Sequence, residues 1–278
     1  MNARCRTTLL GLSLIAAAWV PVTAADDFGA GNVRARLVAD TDHIAPGGDF
    51  HLGVLFEIKP GWHIYWRNPG GAGLATDIRW QLPEGVQVGD LQWPLPIGFS
   101  QSEGIPGYGY EGTVVLASRM HAAPGFNPVL STVGAEVSWL ACKGVCVLGS
   151  ARLEGKLAEL TCDIDFRAWR ENLPRAADDG QKPPFSVTAT GGLAEGTLSL
   201  WLRWQHPPGS VEWFPDPAEA LEVGEAKVET RGGLTRIDAV VRSRAGSVAT
   251  PASLAWLVVA TDAEGNRRGW ELAVDLKK

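Results

Sequence analysis

Val137-Ser-Trp-Leu-Ala-Cys-Lys-Gly-Val-Cys-Val147 is an apolar, β-prone run that ends in two cysteines with three residues between them. An extended chain would hold Cys142 and Cys146 roughly 13 Å apart, whereas a disulfide needs Cα atoms about 5.5 Å apart, so the backbone must turn at Lys143-Gly144-Val145. Glycine at the centre of that turn takes a positive φ at little cost, and Leu140 and Val147 suit the two arms of a hairpin. The spacing predicts a disulfide that bridges two strands. Closing so short a loop removes little unfolded-state entropy, on the order of 2 kcal/mol, so stability alone is a modest reason for the pair. Exchange with a partner is the better one.

The hairpin sits in a chain rich in turn signals. With 33 glycines, 18 prolines and few long helical patterns, the sequence reads as mostly β, and its length suits two domains. β-rich runs recur at Val33–Val38, Asp49–Ile58, Asp77–Leu82, Thr113–Ala117, Ala135–Ala141 and Ala151–Leu157, separated by turns such as Ala45-Pro-Gly-Gly48, Lys59-Pro-Gly61 and Leu82-Pro-Glu-Gly85. Short strands at this rhythm predict a sandwich. From Asp163 the pattern changes to a short helix, Asp165–Leu173, with Phe166 and Trp169 as its interior residues, and then to a polar, proline-rich linker, Pro174–Pro184. A second β series follows, at Phe185–Thr190, Thr197–Trp204, Val211–Phe214, Ala226–Thr230, Thr235–Val241, Ala255–Ala260 and Gly269–Val274; it holds no cysteine and no catalytic cluster. The expected architecture is all-β: two β-sandwich domains, at 25–162 and 185–278, joined by the short helix and Pro-rich linker at 163–184.

Residues 1–24 have the layout of a secretory signal, with Arg4 and Arg6, an apolar stretch Leu9–Val20, and Val22-Thr-Ala24 as a small-residue cleavage site. Cleavage near Ala24 removes two arginines and no acid, taking the formal charge from −6 to −8. An acidic exported chain argues against nucleic acid as a partner. The longest later apolar stretch, Leu254–Ala260, is far below the ~20 residues that span a bilayer, so no transmembrane segment is expected in the mature chain. Cleavage also removes Cys5 and leaves Cys142, Cys146 and Cys162 in a compartment that permits disulfides. Cys162 reads as a buried free thiol or as a resolving cysteine.

Four motifs in order support a family. Gly61-Trp-His-Ile-Tyr-Trp-Arg-Asn-Pro-Gly70, Trp93-Pro94, Gly107-Tyr-Gly-Tyr-Glu-Gly112 and Trp139-Leu-Ala-Cys-Lys-Gly-Val-Cys146 resemble the periplasmic N-terminal region of DsbD-type thiol:disulfide interchange proteins, in particular the variants linked to suppression of copper sensitivity. The resemblance covers roughly Arg34–Leu160. It implies an immunoglobulin-like first domain whose Cys142 and Cys146 accept electrons from a thioredoxin-like domain or a DsbD-type membrane electron donor and pass them to oxidised periplasmic client proteins, with links to cytochrome c biogenesis and copper tolerance. It also implies an aromatic cap over the cysteines, for which Phe99, Tyr108 and Tyr110 in the segment Pro96–Tyr110 are the candidates. The chain departs from the family in two ways: Val147-Leu148 stands where many relatives have a proline, and the transmembrane and thioredoxin-like domains of full-length members do not follow.

In thiol–disulfide exchange a thiolate attacks a disulfide sulfur and a neighbouring thiol resolves the mixed disulfide, so two close cysteines are the minimal apparatus and no cofactor is required. Lys143 either favours the Cys142 thiolate or is an ordinary solvated turn residue. His63, between Trp62 and Ile64, shows no ligand spacing with His43, His51, His121 or His206, and a packing role is expected rather than a metal site. Soft thiolates bind Cu(I), yet the methionines of a copper motif are absent. Eleven tryptophans remain after signal removal. Trp80, Trp139, Trp201 and Trp256 lie in strand-like runs and read as core, whereas Trp204 and Trp213, beside prolines, read as surface candidates. The alternative function is therefore a non-catalytic periplasmic binding or adaptor protein for a glycan or protein ligand, in which the disulfide only locks a hairpin.

Overall fold

The computed structural model describes residues 31–276 apart from 42, 102–103, 161, 177–181, 217–219 and 245–251; the predicted signal at 1–24 lies outside the described residues. The first ten strands are β1 (Val33–Ala39), β2 (Asp49–Ile58), β3 (Ile64–Gly70), β4 (Asp77–Gln81), β5 (Val86–Gln92), β6 (Ile97–Ser100), β7 (Pro106–Tyr110), β8 (Thr113–Ala122), β9 (Thr132–Lys143) and β10 (Val145–Lys156). Helix α1 (Phe166–Glu171) follows. The remaining strands are β11 (Arg175–Ala176), β12 (Phe185–Gly192), β13 (Thr197–Trp204), β14 (Ser210–Asp216), β15 (Leu221–Arg231), β16 (Leu234–Ser243), β17 (Ser253–Thr261) and β18 (Arg267–Asp275). The chain is all-β, as its turn rhythm predicts. Among the described residues no helix is long and apolar enough to cross a membrane.

The strands fall into two compact units. The first takes residues up to Ile64, Leu74–Gln92 and Tyr110–Trp169; the second takes Tyr65–Gly73, Trp93–Gly109 and Arg170 onward.

In the first unit an antiparallel sheet ordered β1-β2-β8-β5 accompanies a second ordered β10-β9-β4. Strand alternation decides which side chains meet between them. Val54 and Phe56 of β2 and Leu116 of β8 are fully buried, as are Ala135, Val137 and Trp139 of β9 to within a few per cent. The Trp139 and Phe56 rings meet edge to face at 5.8 Å, tying one sheet to the other. Helix α1 starts at Asp165, whose Oδ1 accepts from the amides of Arg167 and Ala168 at 3.0 and 3.1 Å. Its Trp169 is buried and donates through Nε1 to the Val115 carbonyl at 2.9 Å.

The second unit holds sheets ordered β11-β18-β17-β14, β12-β13-β16-β15 and β3-β7-β6. Leu198, Leu200, Leu202, Ile237, Val241, Leu254, Trp256 and Val258 fill its core. Trp204 and Trp213, expected at the surface because prolines flank them, are buried at 8% and 5% exposure. The strands run through both positions, and the Trp204 indole donates to Thr235 Oγ1 at 2.9 Å. Trp201 and Trp80, both expected in the core, are partly exposed, and the Arg236 guanidinium lies 5.6 Å from the Trp201 ring. Within the expected linker, Arg175–Ala176 adds a short parallel strand to β18.

Candidate functional site

The two cysteines form a disulfide across the tip of the β9–β10 hairpin. Gly144 is the apex, at φ 71°, and a Cβ placed there would meet nothing within 4 Å, so the glycine serves the left-handed backbone and not a packing need. Register sets Cys142 directly opposite Cys146 and Lys143 opposite Val145.

A third chain segment explains how close the cysteines come. His63 forms an isolated antiparallel bridge with Cys142: the His63 amide donates to the Cys142 carbonyl at 3.1 Å and the Cys142 amide to the His63 carbonyl at 3.0 Å. Both backbone groups of Cys142 are thereby turned toward His63. The Cys142/Cys146 pair on the other side is therefore of the narrow, non-hydrogen-bonded kind, where Cα atoms stand about 4.5 Å apart and side chains lie closest. The observed Cα separation is 4.1 Å, shorter than the sequence-based expectation for this reason.

The two cysteines are unequally exposed. Ala135, Val137, Trp139 and Ala141 point into the sandwich, and Glu136, Ser138, Leu140 and Cys142 lie on the opposite face. Cys142 is nevertheless 3% exposed, while Cys146 is exposed. Beside the disulfide on the outward face stand Leu140 and its cross-strand partner Leu148, and further along come Ser138 with Ser150 and Glu136 with Arg152. Leu148 is 67% exposed and Val145, at the tip, 65%. The exposed Cys146 thus has apolar neighbours on a face that becomes polar with distance from it.

Lys143 points to the other face from Cys142, and its Nζ donates to the Pro60 carbonyl at 3.2 Å, holding the tip to the turn before His63. Burial lowers the His63 pKa, with the Glu111 charge acting in the opposite sense. The cap candidates divide between the units. Phe99 lies on β6, 6.0 Å from the Tyr65 ring; Tyr108 lies on β7 with its ring edge-on to Phe214 at 5.2 Å, and burial raises its pKa. Both belong to the second unit, whereas Tyr110 is a buried residue of the first. Cys162, read from the sequence as a buried free thiol or a resolving cysteine, is half-buried.

A β-sandwich with a disulfide at a hairpin tip, one cysteine exposed and one buried, is the form of a thiol–disulfide exchange module. Residues 34–158 match the family model for the N-terminal domain of the thiol:disulfide interchange protein DsbD. The N-terminal periplasmic domain of ScsB from Proteus mirabilis shares the fold, with a TM-score of 0.67 and 22% identity over 91% of this chain and 99% of that one. No curated protein sequence matches the chain significantly. The chain carries a DsbD-type N-terminal domain.

Proposed function

We propose that this protein is a periplasmic relay that takes electrons from a thioredoxin-like donor and delivers them to oxidised periplasmic proteins through Cys142 and Cys146. The observation that carries the reading is the disulfide at the hairpin tip, with Cys142 buried and Cys146 exposed. A donor thiolate reaches the Cys146 sulfur, forms a disulfide to it and expels Cys142 as a thiolate; a second donor thiol then attacks the mixed disulfide at the donor's own sulfur and releases Cys146. Delivery runs in reverse, with the Cys146 thiolate attacking a client disulfide and Cys142 resolving the product. Val145, Leu148 and Leu140 give the incoming partner an apolar rim to settle on while the sulfurs align. Phe99, Tyr108 and Tyr110 are assigned the shielding role on the family's pattern, and the periplasmic location follows the same pattern.

The binding-protein alternative loses its best support, since Trp204 and Trp213 are core residues. The test is the equilibrium reduction potential of the Cys142–Cys146 couple, titrated against glutathione with mass-spectrometric counting of thiols. A reversible transition above about −300 mV supports the relay, and a pair that stays oxidised below that range makes the disulfide structural.

A further inference from the structure

We propose that His63 is the hydrogen-bond donor to the Cys142 thiolate released when the disulfide opens, a role that deepens the exchange reading above. The argument starts from register. Residues directly opposed in an antiparallel pair project their side chains to the same face, with Cβ atoms about 4.5–5.5 Å apart. His63 opposes Cys142 through an isolated bridge and Cys142 opposes Cys146 across the hairpin, so the three residues occupy one register row of the first unit. Along β9 the same-face neighbour of Cys142 is Leu140 on one side, and on the other side the strand ends in the glycine turn. Neither offers a donor side chain.

The chemistry at Cys142 requires one. Attack at Cys146 breaks the S–S bond and leaves its electron pair on Cys142, whose residue is 3% exposed. Burial in apolar surroundings raises a thiol's pKa and so disfavours the thiolate as a leaving group. Lys143 is adjacent in sequence, but its side chain lies on the other face with Nζ on the Pro60 carbonyl. His63 is half-buried, and burial keeps it toward the neutral form while the disulfide is closed; Glu111, at the turn before β8, is the charge that pulls the other way. A neutral imidazole donates one N–H. Once the thiolate forms, its negative charge raises the basicity of His63, and the two groups share one proton as a coupled pair. The leaving thiolate is stabilised without solvent, and the proton that completes the Cys142 thiol enters through the imidazole.

The experiment reads the Cys142 thiol directly. In a Cys146→Ser background the thiolate absorbance is titrated with His63 intact, with His63→Phe and with His63→Gln, and the signal of a Cys142→Ser/Cys146→Ser protein is subtracted to remove any contribution from Cys162. Expected is an upward shift of at least about one pH unit in His63→Phe, a tenfold loss of thiolate near neutral pH, with most of it restored by the hydrogen-bonding glutamine. Alkylation of Cys142 by iodoacetamide should follow the same order. Equal titrations in all three proteins overturn the proposal, as does a shift in His63→Gln as large as in His63→Phe. The thiol titration needs no partner, so a failure of the relay reading, seen in the reduction potential, is distinguishable from a failure of this one.

Discussion

Replacing Gly149 by alanine tests whether the hairpin is held by the contact that the register implies. Gly149 lies opposite Trp139 on the inward face, three positions beyond Cys146, and it is buried. A Cβ there would stand 2.3 Å from the indole Nε1, 2.4 Å from Cε2 and 2.7 Å from Cζ2. The ring has little room to retreat, because it is buried and also meets Phe56, which is 0% exposed. Overpacking of this kind costs about 1–3 kcal/mol, paid through a shifted indole or a bent strand. Urea denaturation followed by tryptophan fluorescence and circular dichroism measures it. Gly125→Ala, where the added carbon meets nothing within 4 Å, is the control and should change stability by no more than about 0.5 kcal/mol. Shortening the ring should relieve the clash, so Trp139→Phe and Gly149→Ala together are expected to cost less than the sum of the two by about 1 kcal/mol. A Gly149→Ala protein as stable as the parent, or strict additivity with Trp139→Phe, would refute the packing argument.

Three further outcomes are expected. Leu148→Ser, at an exposed position, should leave stability within about 0.5 kcal/mol while slowing exchange with a protein partner by about 3- to 10-fold and leaving glutathione unaffected; equal slowing of both would remove the rim from the account. Phe99→Ala should speed reduction of the disulfide by glutathione without moving its potential, and an unchanged rate would end the shielding role. In the second unit Arg67 pairs with Asp216 at 2.7 Å and Glu271 at 2.8 Å, and burial raises the Asp216 pKa against the opposing effect of Arg67. A carboxyl with a raised folded-state pKa loses stability as pH rises from its unfolded value through the raised one, and removing the arginine enlarges that loss. Arg67→Ala should therefore cost about 1–3 kcal/mol near neutral pH, with the deficit shrinking as the medium is acidified through the Asp216 titration; a deficit independent of pH in urea melts would contradict the assignment.

Much of this was legible in the residues themselves. Asp49–Ile58 alternates cleanly enough to give β2 end to end, and the turn forced by Cys142 and Cys146 is the observed hairpin. Apart from the two-residue β11 inside the expected linker, the strands that escaped notice, β3, β5, β6 and β7, carry Asn-Pro-Gly, a bulge between Val88 and Leu91, or interior glycines, which erase the period-two signal. Prolines beside Trp204 and Trp213 suggested loops because local turn chemistry says nothing of a strand that continues into a proline at its end or edge. The unequal exposure of the two cysteines was out of reach for a different reason. Cys142, on the outward face of β9, is buried where a distant segment bridges to it at His63, and no local pattern encodes that pairing.

The most direct measurement is the site of the mixed disulfide. The oxidised protein is mixed with a thioredoxin whose resolving cysteine has been replaced, quenched with an alkylating reagent, digested and mapped by mass spectrometry. The account predicts thioredoxin attached to Cys146 with Cys142 alkylated. Attachment at Cys142, or no mixed disulfide under conditions where a small disulfide reacts fully, would contradict it.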